Sequence, residues 1–285
     1  MMTDAPAPFE FHPGVGHVPV LLSVPHAGRH YPASVLSAAR VSTHALEALE
    51  DRHVDALIGP ALEQAAGAIV AVVARAAIDL NRDEGDLDLT MVEGAFPRPT
   101  RPGARTRSGL GLLPRRLVQT GELWRRPAPA AAVIARIDMV HRPYHAAIAD
   151  RLAALAAAEG AALLIDCHSM PPLGPRGAAR IVFGTRGGSA CDAAIIAAAT
   201  AAARACGLPH AIDRPYAGGH IVERHGRPMD GMHALQVEID RTLYLRPDMR
   251  TINAEGAARI AAFLARLTAE TGHAARATAW PQAAE

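Results

Sequence analysis

The sequence predicts an α/β fold, a mostly parallel or mixed sheet with helices on both faces. Two observations carry that expectation. Short apolar runs alternate with longer segments of helical spacing along the chain, the pattern of repeated strand and helix units. Two of the runs, Val18–Val24 and the one from Ala162 into Cys167-His168, are continuously hydrophobic, as in strands covered on both faces. At 285 residues and 50% hydrophobic content, the chain makes one large or two small domains with a sizeable core.

In order, residues 1–17 read as an N-terminal arm and 18–270 as a single α/β domain, with 271–285 as a C-terminal tail. Val18–Val24 is the first strand, followed by a turn through Pro25–Pro32. Leu46, Leu49, Val54, Leu57 and Ile58 recur at helical spacing and predict a helix over Ser42–Ala66. Ala68–Ala74 is a second strand, and Ala76–Leu80 a candidate third. From 83 to 126 Pro, Gly and Arg replace the apolar periods, so this stretch reads as an irregular excursion, a lid or binding loop. Arg101, Arg105, Arg107, Arg115 and Arg116 there suit an anion-binding surface, with a solvated loop as the ordinary alternative. An Ala-rich helix over Ala130–Ala158 is interrupted near Pro143. A strand through His168, a strand over Ala179–Gly184 and a helix over Ser189–Cys206 closed by Gly207 follow. Ala234–Ile239 is the late strand and Asn253–Glu270 the last helix.

Composition excludes several classes of function. Net charge is +1, with 29 Arg, no Lys and 28 acidic residues, so no footprint for nucleic acid or membrane stands out. Aromatics are 4%, too few for a base-stacking surface. Cys167, Cys191 and Cys206 have no CxxC spacing and read as reduced and buried. No signal peptide and no uninterrupted apolar run of about 18 residues is seen, and the expectation is a cytoplasmic protein acting on a small molecule.

The chemistry gathers at strand ends. His26 and His168 sit at the exits of the two apolar strands, at the sheet edge where open α/β folds bind ligands. A catalytic zinc takes three protein ligands and keeps a position for water. The third donor is expected from Glu50-Asp51-Arg52-His53; Asp51 is preferred, with Glu50 and His53 as competitors. The ordinary alternative is that each histidine is a satisfied core or turn residue.

Arg75, Asn81 and Arg82 bracket a short apolar segment and suit a carboxylate, since guanidinium presents paired donors to two oxygens. Surface pairing of Arg82 with Asp79, Asp83 or Glu84 competes with that reading. Glu238 and Asp240 face one side of a strand, where an acid is paired or catalytic; a general base for amide hydrolysis competes with an ion pair to Arg241 or Arg224. Tyr216–Gly226 reads as a flexible loop carrying His220 and Arg224, and Arg142 and Tyr144 lie at a helix kink whose polar groups could reach the same cleft.

Taken together, these segments resemble the N-formylglutamate amidohydrolase (N-formylglutamate deformylase) family. The matching pieces are VPHAG at Val24–Gly28, DRHVDAL at Asp51–Leu57, RAAIDLNR at Arg75–Arg82 and GLGLLPRR at Gly109–Arg116. They continue with HRPYH at His141–His145, IDCHSMP at Ile165–Pro171, YAGGHIVERHGRP at Tyr216–Pro228 and ALQVEIDRTLY at Ala234–Tyr244. The resemblance implies a zinc-carboxypeptidase-like (phosphorylase/hydrolase-like) fold and amide hydrolysis by metal-activated water. Carried onto this chain, it implies His26, Asp51 and His168 as ligands of Zn2+, or of another divalent metal, and Glu238 as general base. It implies Arg75 at the carbonyl or oxyanion and Asn81 and Arg82 on a substrate carboxylate, with Arg142, Tyr144, His220 and Arg224 as further substrate contacts. Arg29 stands three residues after His26, so the chain lacks the HxxE pair of metallocarboxypeptidases and the acid comes from elsewhere. The implied reaction releases formate and glutamate from N-formyl-L-glutamate, a step of histidine catabolism in this family. Hydrolysis of another N-acyl amino acid or short peptide, and non-catalytic binding of acidic small molecules, are the competing readings.

Overall fold

The computed structural model describes residues 6–175 and 178–279. The readings placed on 1–5 and on 280–285 lie outside the described residues. Contacts group the chain into two compact units, one of Met1–Glu10, Pro25–Asp51 and Val70–Ala146, the other of Phe11–Val24, Arg52–Ile69 and Ala147–Glu285.

The second unit holds most of a seven-stranded sheet. Its strands are β1 (Phe9–Pro13), β2 (Val20–Val24), β3 (Gly67–Ala71), β4 (Ala162–Met170), β5 (Ile181–Gly184), β6 (His210–Ile212) and β7 (Met232–Asp240), in the order β1-β3-β2-β4-β7-β5-β6. β4 runs parallel to both β2 and β7, β7 meets β5 antiparallel, and β6 is parallel to β5. The sheet is therefore mixed, with a parallel centre. Every residue of β2 and β4 is buried, which is why they read as unbroken apolar runs.

Helices cover both faces of this sheet. Val20 of β2 points away from Ser23 (period two) and touches the helix Ala254–Ala277 at Gly272, where a Cβ would lie 2.5 Å from Val18. Glycine is what lets that helix approach the strand so closely. On the opposite face, the backbone N–H of Gly219, just before the helix His220–His225, donates to Gln236 on β7 at 2.8 Å. His220 and Arg224 thus ride on a short helix, where the sequence suggested a flexible loop. The extra β1 strand replaces part of the expected arm, and the last helix runs on to Ala277, seven residues into the expected tail.

The first unit is mostly irregular, and the sequence reading is corrected most there and in residues 52–66, which belong to the second unit. The helix expected over 42–66 is four short pieces instead: Thr43–Leu46, Glu47–Leu49, Val54–Leu57 and Gly59–Glu63. His53, with φ of 65°, breaks the run in a left-handed conformation, and Glu50 ahead of it is extended. Ala76–Leu80 is a turn rather than a strand. The excursion 83–126 is folded, with Leu87, Met91, Leu112 and Leu113 buried against Ile78, Val133 and Ile137. Arg115 is paired with Asp88 and Glu122. The kink expected near Pro143 is a π-turn at Ile137–His141, between the helices Ala130–Arg136 and Arg142–Glu159. Proline lacks the N–H an α-helix needs and crowds the carbonyl four residues earlier; the wider turn absorbs both effects.

Candidate metal and substrate site

His26 stands two residues beyond β2, in the VPHAG segment. Gly28 there is packed so tightly that a Cβ would lie 2.2 Å from the carbonyl oxygen of Val73, so the segment can lie flat on its neighbour only with glycine at this position. The imidazole is 2% exposed and lies between two buried carboxylates: Asp79 Oδ1 is 2.8 Å from Nε2 and Asp51 Oδ2 is 3.2 Å from Nδ1. The backbone ties Asp51 down as well, its N–H donating to the carbonyl of His26 at 2.9 Å. Of the two competing donors, Glu50 accepts a hydrogen bond from Tyr31 Oη, and His53 Nε2 meets the carbonyl of Arg250 at 2.9 Å.

Asp79 organises its surroundings. Arg75 donates to its Oδ2 at 2.9 Å, and the N–H of Asn81 donates to Oδ1 at 2.9 Å. Burial alone would raise this carboxyl, but Arg75, then His26 and Arg82, together hold it well below the usual carboxylate range. The arginine that pairs with Asp79 is therefore Arg75. Arg82 is oriented by two carbonyls instead, Leu110 at 2.7 Å from Nε and Asn81 at 2.6 Å from Nη1, with Asp86 no nearer than 4.0 Å. Burial, more than any neighbouring charge, pushes its guanidinium down from its ordinary value. A largely desolvated cation held by carbonyls, with donors to spare, is suited to receive an anion.

The remaining candidates of this unit are differently placed. Arg142 is exposed and paired with Glu84 through Nε and Nη2 at 2.8 Å each, and with Asp138 through Nη1. Tyr144 is fully buried, its ring edge-on to Phe9 and to His145.

In the second unit the register of the parallel strands places the chemistry. Ser23 of β2, Asp166 of β4 and Gln236 of β7 lie level, and His168 lies level with Glu238. Because strand side chains alternate, all five face one side. Asp166 accepts from Ser23 Oγ at 2.8 Å through one oxygen and meets His168 Nε2 at 2.7 Å through the other. Glu238, 9% exposed, accepts from Gln236 Nε2 at 2.9 Å. Asp240, on the same face one step further, pairs with Arg180 at 2.6 Å and caps Thr242. The two acids of this strand thus separate into a structural one and one standing beside a histidine. Arg241 Nε donates to Ser169 Oγ at 3.0 Å, and Cys167 points into the core, its thiol pushed up by burial.

Asp79 and Asp166, which hold one nitrogen of each histidine, were not singled out as such from the sequence. Asp166 had a signal, since it precedes His168 by two residues on the same strand face. Asp79 lies 53 residues from His26 with no local pattern connecting them. The donor chemistry fits a divalent metal. A neutral imidazole donates through one nitrogen only, so with Nε2 of His26 donating to Asp79, the Nδ1 lone pair and an Asp51 oxygen converge as two cation donors.

The chain is similar to known proteins over most of its length. A family model described as N-formylglutamate amidohydrolase matches residues 18–245. N-formylglutamate deformylase of Pseudomonas aeruginosa is 33% identical over 237 residues, covering 81% of this chain and 83% of that protein. Its counterpart of Pseudomonas putida is 30% identical over the same coverage. The crystal structure of N-formylglutamate amidohydrolase from Ralstonia eutropha superposes with a TM-score of 0.87 at 32% identity, over 95% of this chain and 99% of that one. A gene product of Agrobacterium tumefaciens shares the fold at a TM-score of 0.68 and 19% identity, over 93% of this chain and 95% of the other. The chain belongs to the N-formylglutamate amidohydrolase family.

Proposed function

We propose that the chain is a metal-dependent amidohydrolase that cleaves N-formyl-L-glutamate to formate and L-glutamate. The observation that carries the reading is the alignment of Glu238 with His168 on neighbouring parallel strands, together with the deformylase relatives at about 30% identity. His26, Asp51 and His168 would hold the metal through two imidazole nitrogens and a carboxylate oxygen, the set expected for Zn2+ or a similar divalent ion. A divalent metal bound there would lower the pKa of a water and polarise the formyl oxygen.

The chain's own groups do the rest. Asp79 and Asp166 fix the ring orientation of His26 and His168 through Nε2. Glu238 takes the proton of the attacking water as its oxygen bonds to the formyl carbon, then delivers a proton to the nitrogen as the C–N bond breaks. Arg75, held by Asp79, faces the developing oxyanion, and Arg82 with Asn81 holds a substrate carboxylate. His220, Arg224, Arg142 and Tyr144 remain proposed substrate contacts; of these, Arg142 would have to leave its pairing with Glu84, and Tyr144 its fully buried position. Action inside the cytoplasm and a place in histidine breakdown belong to the same proposal. Among the described residues, no helix is long and apolar enough to cross a membrane.

The test is formate release from a panel of N-formyl and N-acetyl amino acids. Highest kcat/KM on N-formyl-L-glutamate is expected. A clear preference for another N-acyl amino acid would keep the hydrolase and overturn the substrate, and no turnover of any of them would overturn both.

A further inference from the structure

The segment Asp79–Arg82 carries three of the groups used above, yet belongs to no helix or strand. A buried irregular backbone must find partners for its polar groups outside a helix or sheet ladder. Here each carbonyl from 80 to 82 has one: His145 Nε2 lies 3.0 Å from the Leu80 oxygen, Arg82 Nη1 2.6 Å from that of Asn81, and His141 Nε2 2.8 Å from that of Arg82. A carbonyl only accepts, so both imidazoles carry hydrogen on Nε2. Both rings are fully buried, with centroids 4.4 Å apart. Four residues apart, they project from one side of the helix, just where the π-turn Ile137–His141 passes into regular α-helix.

We propose that His141 and His145 are positioning residues, a paired clamp that sets Asp79 against His26 and aims the Arg82 guanidinium at the substrate carboxylate. This deepens the amidohydrolase reading and rests on it. His145 fixes the Leu80 peptide, next to Asp79, and His141 fixes the peptide that follows Arg82. Their effect on catalysis passes through the strap, so neither touches the reacting atoms in this account.

The experiment compares H141L, H141Q, H145L and H145Q. Glutamine can present an amide N–H about where imidazole presents Nε2–H, and leucine keeps bulk without a donor. The leucine variants are expected to lose kcat/KM on N-formyl-L-glutamate by on the order of 10²-fold, the cost of misplacing reacting groups by about an ångström. For H141L the loss should fall mainly on KM, and the glutamine variants should recover most of it. Amide hydrogen exchange over 79–82 should quicken in the leucine variants and stay slow in the glutamine ones. Wild-type kinetics in the leucine variants, or glutamine variants as impaired as leucine, would overturn the clamp. Should a leucine variant fail to fold, near-wild-type kinetics and exchange in its glutamine counterpart supports the hydrogen bond, and impairment there overturns it. Should the wild-type protein not turn over the substrate, the amidohydrolase reading fails, and unchanged exchange in the leucine variants would separately overturn the clamp.

Discussion

Two halves of the molecule hold their chemical groups by different means. In the second unit, His168 and Glu238 are set by strand register: β4 and β7 are each nine residues long and paired along their whole length. In the first unit, Asp79, Asn81 and Arg82 are held by side chains reaching backbone carbonyls and N–H groups. A ladder of main-chain bonds places a residue whatever its own side chain does. A strap of side-chain bonds depends on every partner. Substitutions in the sheet half should therefore act on chemistry with little change in structure, whereas those in the strap half should act on both.

The largest effect expected is that of E238Q, which keeps shape and register but removes the proposed base. A fall in kcat of about 10²–10⁴-fold is expected, with metal content unchanged in the same preparation. Loss of metal along with activity would mean that Glu238 is structural, and the contrast between the halves would fail.

Next come the two aspartates behind the histidines. D166N and D79N should each weaken zinc retention or activity by roughly 10–100-fold, measured by competition with a chromophoric chelator. The comparison sharpens here. D79N also removes the charge facing Arg75 and Arg82, so it should lower the melting temperature more than D166N does. Equal melting shifts would contradict the distinction.

R82M should raise KM for N-formyl-L-glutamate by about 10- to 100-fold, as expected for a lost charge-assisted hydrogen bond of 1.5–3 kcal/mol, with less effect on kcat. An unchanged KM would remove Arg82 from substrate binding.

The smallest effect concerns stability in acid. Burial, helped by Arg224, His220 and Arg227, pushes His225 down to about 3 from its ordinary 6.5. The folded protein therefore refuses a proton that the unfolded chain takes up below about pH 6.5. Stability should fall as pH drops from there, by about 1.4 kcal/mol per pH unit near pH 5 for this one group. H225Q should flatten the slope of unfolding free energy against pH, and an identical slope would contradict the burial argument.

The same contrast explains what could be read from the sequence. β2, β4 and β7 were legible because strands covered on both faces leave continuous apolar runs. The period of two then put Glu238 and Asp240 on one face. That Asp240 would form an ion pair was not legible, because Arg180 reaches it from a distant part of the chain. The helix expected over 42–66 failed because helical spacing of Leu46, Leu49, Val54 and Leu57 survives the break at His53, whose backbone angle no pattern reveals. The segment 83–126 reads as an irregular excursion because its buried residues, Leu87, Met91, Leu112, Leu113 and Leu123, are too scattered to form a period.

The central claim is tested most directly by formate release from N-formyl-L-glutamate, measured with bound metal before chelation, after chelation and after zinc add-back. Activity should vanish with the metal and return in proportion to the zinc rebound. Full formate release by metal-free protein would contradict the account.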